Sequence, residues 1–226
     1  MKQMKLLIIC VVAAACFFIS EHFVAAVQDV IYAPLSGAVI VLDAGHGGKD
    51  EGAMAAGVTE KAINMAIVTK LQALFEDAGA TVVLTRKDEN DLSSPTAANH
   101  KREDMKNRID IINDEKNDLL LSIHLNSYGD SSVKGAQTFY PKDSLSSELL
   151  ASCIQVQFLA IDSRMSPKPG DYYLLNNSRI PAVLIECGFL SNAQEREQLS
   201  QADYQDKVAN LIFAGTLNYF KELSYE

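Results

Sequence analysis

VIVLDAGHGGKDEGA, residues Val39–Ala53, passes from an apolar β-type run straight into a glycine-rich loop. The run Ala38–Asp43 (AVIVLD) is nearly all apolar, as in a strand covered on both faces rather than on one. The loop behind it, Asp43-Ala44-Gly45-His46-Gly47-Gly48, holds a histidine among glycines. Glycine lets a backbone turn sharply, so His46 can be aimed back over the edge of a sheet.

Working outward, Ile63, Ile67, Leu71, Leu74 and Phe75 recur at helical spacing, with Thr59 and Glu60 at the start and Gly79 at the end. Further strands read at Thr81–Thr85, Leu119–His124 (LLLSIH), Ala136–Tyr140, Tyr172–Leu175 and Ala182–Cys187 (AVLIEC). Helices read at about Arg102–Asn113 (Met105, Ile109 and Ile112 on one face), from Ser144 to about Asp162, and at Tyr204–Leu223 with Val208, Leu211, Ile212 and Phe220 inward. Strands alternating with helices predict an α/β fold: one domain with a twisted, mostly parallel central sheet flanked by helices on both faces. The polar stretch Lys87–Lys101 reads as a surface loop, either facing substrate or simply solvated.

Residues 1–26 differ from the rest. Lys2 and Lys5 precede an unbroken apolar run, Leu6–Ile19, shorter than the roughly 20 residues of a spanning helix. Val24-Ala25-Ala26 offers small residues for cleavage. The expectation is a signal peptide cut near Ala26, with an uncleaved membrane anchor as the alternative, then a short linker at 27–37 and a catalytic domain at 38–226. The protein would then act outside the cytoplasmic membrane, touching it only through this segment.

The 226 residues carry 20 Lys+Arg against 29 Asp+Glu, a net charge of −9. That balance excludes nucleic acid and anionic membrane as main partners, since both need clustered cations. With 48% hydrophobic and 22% charged residues the chain is neither disordered nor a coiled coil. Of 4 Cys, Cys10 and Cys16 belong to the leader; Cys153 and Cys187 read as buried thiols rather than a bridge.

Ligands of open α/β sheets gather at the carboxyl ends of the strands. His46, His124 and Glu186 fall there, Glu60 opens the first helix, and Asn126 lies two residues past His124. Two imidazoles and a carboxylate make the ligand set of a catalytic zinc, with a further carboxylate needed to move protons. Glu186, flanked by Leu184, Ile185 and Phe189, is the candidate for that second role, because an acid in an apolar strand has its pKa raised. Taken singly, each residue has a plainer use: His46 as a loop hydrogen-bonder, Glu60 at a helix N-terminus, His124 in the core. Separations of 14 and 64 residues match no local zinc signature.

VIVLDAGHGGKDEGA, the helix-opening Glu60, SIHLNS and AVLIECGFLSN resemble, in order, the motifs of zinc-dependent N-acetylmuramoyl-L-alanine amidases of the Amidase_3 type. The resemblance spans roughly Val39 to Phe220. It implies an amidase/carboxypeptidase-like fold, one Zn²⁺ per chain on His46, Glu60 and His124, and Glu186 as catalytic. The implied substrate is peptidoglycan, cut between the lactyl group of N-acetylmuramic acid and L-alanine. Asn126 is a further candidate for orienting His124 or the substrate. Ala44 departs from the usual proline, and Cys187 places a thiol beside the site, either as an extra ligand or as packing; a cysteine hydrolase using Cys187 with His124 is a rival reading, and a non-catalytic wall-binding module another. The short N-terminus and the run from Leu92 to Asn113 resemble the germination-specific spore-cortex branch, which prepares muramic-δ-lactam; a vegetative wall amidase is the alternative. An accessory protein is a possible partner.

Overall fold

The computed structural model describes residues 33–161, 163–164 and 166–224. The leader expected at residues 1–26 lies outside the described residues, as does most of the expected linker. The described part of that linker, residues 33–37, forms a turn in which the Leu35 N–H donates to the Ala78 carbonyl. Leu35 is 2% exposed and belongs to the main core, so packing begins ahead of Ala38.

The main sheet has six strands: β1 (Val39–Ala44), β4 (Thr81–Leu84), β5 (Leu119–Asn126), β6 (Gln137–Tyr140), β7 (Lys168–Pro169) and β8 (Ala182–Phe189). Their order is β4-β1-β5-β8-β6-β7. β4, β1, β5 and β8 run parallel, and β6 pairs antiparallel with β8. A two-stranded hairpin, β2 (Met54–Ala55) and β3 (Val58–Thr59), precedes the first helix.

Six helices are described: α1 (Glu60–Asp77), α2 (His100–Ile112), α3 (Leu145–Gln157, continued by a 3₁₀ turn at Phe158–Ala160), α4 (Tyr173–Asn177), α5 (Ala193–Leu199) and α6 (Ala202–Leu223). Strand alternation sends Ile40 and Leu42, Leu121 and Ile123, and Val183 and Ile185 into one large core with α1, α3 and α6. The opposite face buries Val41, Leu120, Ala182 and Leu184 against Ile112 of α2 and Leu174 and Leu175 of α4. Helices therefore cover both faces, the second more thinly. In α6, Tyr219 is buried and Phe220 only half-buried, one position away from the expected inward set.

One expected strand is wrong. Tyr172–Leu175 enters a single helical turn, α4, in which the Asn176 N–H donates to the Tyr172 carbonyl. Leu174 and Leu175 are both buried, and adjacent buried residues suit a turn lying on a sheet better than a strand with period two. So short an apolar run has no readable period. The β2–β3 hairpin, β7 and α5 carry no strong sequence signal either. The hairpin turns on Ala56 and Gly57, both at positive φ, without the usual Asn-Gly pair.

Candidate active site

The parity of three neighbouring strands builds the site. Asp43 in β1, Ser122 and His124 in β5 and Glu186 in β8 share the thinly covered face with Val41, Leu120 and Leu184. The register places His124 beside Glu186 and Asp43 beside Ser122. A bulge between His124 and Asn126 then ends the regular pairing.

His46 arrives from the loop after β1 with φ at +63°, a conformation few non-glycine residues adopt. Its Nε2 lies 3.0 Å from Glu60 Oε1, and His124 Nδ1 lies 2.9 Å from the same oxygen. The imidazoles meet edge-on at 5.0 Å between centroids. Glu60 is held from behind: Oε2 accepts the Ala53 N–H at 2.8 Å and Oε1 the Leu125 N–H at 3.0 Å. Burial alone would raise the Glu60 pKa, but hydrogen bonds from His124 and His46 pull it well below the carboxylate range, so the group is an anion. One donor atom from each of His46, Glu60 and His124 falls within 4.8 Å of the others. Two imidazoles and a carboxylate at that spacing fit a divalent metal of borderline softness. His46 Nδ1 is buried and sits 3.0 Å from Asp50 Oδ1.

Glu186 is 8% exposed, and its Oε2 has no hydrogen-bond partner among the described residues. Burial, with the Glu60 charge adding to it and the charges of His124 and His46 opposing it, leaves its pKa pushed up to about 7. Tyr172 nearby is pushed up to about 12 by burial and by the Glu186 carboxylate. All four residues line a cleft of about 390 Å³, with Lys101, Arg108 and Asn126 also on its walls. Asn126 caps its own neighbour, its Oδ1 accepting the Ser127 N–H at 2.8 Å, and is not brought onto His124. The loop at 87–101 mostly packs away from the cleft: Leu92 N–H donates to Asp104 and Ser94 N–H to Glu103. Lys101 alone of that stretch lines the cleft.

Cys187 lies on the opposite face of β8, 1% exposed in the main core, with its thiol pushed up by burial. It packs and does not face His124, so the Cys–His hydrolase reading fails on parity. Cys153 and Cys187 are both free.

Several supporting residues escaped the sequence reading. Arg108, fully buried, donates to Asp43, Asp104 and the carbonyls of Ala44 and His46. Arg86 donates to the carbonyls of Ala44, Gly45 and Lys61. Together they fix the loop that presents His46. The signal for Arg108 was its position within the stripe Met105-Ile109-Ile112, where a charge without a partner is costly.

A thinly covered sheet face with two imidazoles, a carboxylate anion and a buried acid converging at the carboxyl ends of parallel strands marks an α/β enzyme with a candidate metal centre. The chain belongs to the N-acetylmuramoyl-L-alanine amidase family, whose profile matches residues 40–218. It is 37% identical over 195 residues to the germination-specific N-acetylmuramoyl-L-alanine amidase of Bacillus subtilis, covering 84% of this chain and 82% of that protein. It is similar to the CwlD amidase of Clostridioides difficile, solved in complex with the GerS lipoprotein: TM-score 0.79, 42% identity, 82% of this chain and 99% of that one. The catalytic domain of the amidase CwlV from Bacillus (Paenibacillus) polymyxa gives a TM-score of 0.72 at 32% identity, over 81% of this chain and 98% of that one. The protein is thus an N-acetylmuramoyl-L-alanine amidase acting on peptidoglycan.

Proposed function

We propose that one zinc ion is held by His46, Glu60 and His124, and that Glu186 carries the proton in cleavage of the amide between the lactyl group and L-alanine. A zinc ion on those ligands supplies Lewis acidity toward the scissile carbonyl and toward water. Glu186 takes a proton from the attacking water as the C–O bond forms and returns it to the alanine nitrogen as the C–N bond breaks. The products are a muramic acid carboxylate and a free amine. The observation that carries this role is a buried carboxyl, strand-paired with His124 on the wall of the same cleft, with one oxygen that has no hydrogen-bond partner among the described residues.

Glu186→Gln is expected to keep zinc at one per chain while stem-peptide release falls about 10²- to 10⁴-fold. Removing zinc from the wild type with a chelator should abolish release, and re-adding it should restore it. Near-normal release by Glu186→Gln, measured by mass analysis of muropeptides, would refute the assignment.

We further propose spore-cortex peptidoglycan as the substrate, with hydrolysis as a step toward muramic-δ-lactam. This rests on the likeness to the germination-specific amidase. Export through residues 1–26 fits a substrate outside the membrane, and among the described residues no helix is long and apolar enough to cross one. The relative solved with a lipoprotein supports an accessory protein as partner. Muramic-δ-lactam missing from the cortex of a strain lacking the gene, with its vegetative wall unchanged, is the expected result; the reverse pattern favours a vegetative wall amidase.

A further inference from the structure

A second cleft, also about 390 Å³, opens beside the first. Asn126 lines both. Phe139 of the second cleft meets Tyr172 of the first edge-on, 5.3 Å between ring centroids, so the two share a wall. Arg164 and Lys168 line the second cleft, and among the described residues no carboxylate does. In a chain of net charge −9, that is a local reversal of sign.

Both side chains are exposed, and the backbone that carries each is fixed. The Arg164 guanidinium lies over the Phe189 ring, 5.7 Å from its centroid. Its backbone N–H donates to the Ala136 carbonyl, and its carbonyl accepts from Gln155 Nε2. Lys168 is register-paired with Phe139 across β6 and β7. Among the described residues neither cation forms an ion pair.

We propose that Arg164 and Lys168 form a subsite that reads a free carboxylate on the stem peptide, which leaves the Glu186 cleft across Asn126. The inference rests on the amidase activity and deepens it. The scissile amide joins two arms of different chemistry. The sugar arm offers hydroxyl and acetamido groups and is neutral there, because its lactyl carboxylate is tied up in the amide. The peptide arm carries free carboxylates, and only these match a pair of cations. A guanidinium offers a carboxylate a two-pronged contact, while the ammonium serves as a point charge.

The test uses zinc-loaded enzyme and two synthetic muramyl peptides that differ at one group: the residue after alanine carries a carboxylate in one and a carboxamide in the other. Wild type is expected to favour the carboxylate about tenfold in kcat/KM, chiefly through KM. Arg164→Gln should bring the two substrates within about twofold of each other while leaving the carboxamide rate near wild type. Arg164→Lys should recover part of the preference, and Lys168→Ala should lose part of it. A preference that survives in the Arg164→Gln, Lys168→Ala double variant would overturn the subsite. Equal loss on both substrates would also overturn it, because that pattern marks a purely structural role. Cleavage of neither substrate by wild type would fail the amidase activity itself.

Discussion

At Gly45 the absence of a side chain lets His124 of β5 reach the loop that carries His46. A Cβ there would lie 2.2 Å from His124 Cε1 and within 2.6 Å of both ring nitrogens. No rotamer adjustment of the added methyl relieves such a contact, so the imidazole itself must move. Gly52 is constrained likewise, at φ +66° with a would-be Cβ 2.5 Å from Glu60 Oε2. Gly45→Ala is therefore expected to fold yet to lose zinc, with bound metal and activity falling together by more than tenfold; metal content after gel filtration checks it. Full occupancy in that variant would show that His124 has another way into the site. At this scale Glu186 was readable from sequence, because a carboxylate in AVLIEC needs a reason. Asp43, at the end of AVIVLD, was not singled out from sequence, and the structure gives it Arg108, Ser122 and Thr85 as partners.

At the scale of elements, α2 is the support on which the thin face depends. It begins at Asn99, whose side chain accepts the Arg102 N–H at 3.0 Å, and it delivers Arg108 to the His46 loop from its third turn. Asn99→Ala removes that cap and should lower stability by about 1 kcal/mol, read as a lower urea midpoint at unchanged m-value. The proposed zinc ligands His46, Glu60 and His124 lie outside the changed contact, so zinc affinity should hold. A helix that melts without its cap would instead cost activity as well. The helices α1, α2, α3 and α6 were legible because each repeats its period several times, and the strands β1, β5 and β8 because each is a nearly continuous apolar run bounded by polar residues. Tyr172–Leu175 was not: four residues fit a strand or a helical turn, and the choice fell to the apolar surface beneath α4.

Over the whole molecule, the same buried charges that position the site also set its acid stability. Burial works to raise the Asp43 pKa, but Arg108, with hydrogen bonds from Ser122 and Thr85, holds it down at about 2 against an ordinary 3.8. A carboxyl depressed in the folded state contributes stability that is complete above its unfolded pKa and lost as pH falls toward the folded one. Between about pH 4 and pH 2 this group should therefore give up about 2 kcal/mol. Asp43→Asn should be less stable than wild type at pH 7, and the gap should close across that window; a constant gap from pH 7 to pH 2 would show that Asp43 is not the group responsible. Leu35, ahead of the first strand, belongs to the same whole-molecule picture, since the turn at 33–37 seals the end of α1.

The sequence by itself determined the α/β alternation, the strand ends on which His46, His124 and Glu186 stand, and the family motifs, because periodicity and local composition are carried along the chain. It could not determine that residues 14 and 64 positions apart converge within 4.8 Å, nor that Cys187 turns away while Glu186 turns in. Those follow from strand register and from the long-range partners of Glu60, Arg86 and Arg108. Such pairings bring distant residues together by packing and desolvation, and only the tertiary structure decides them.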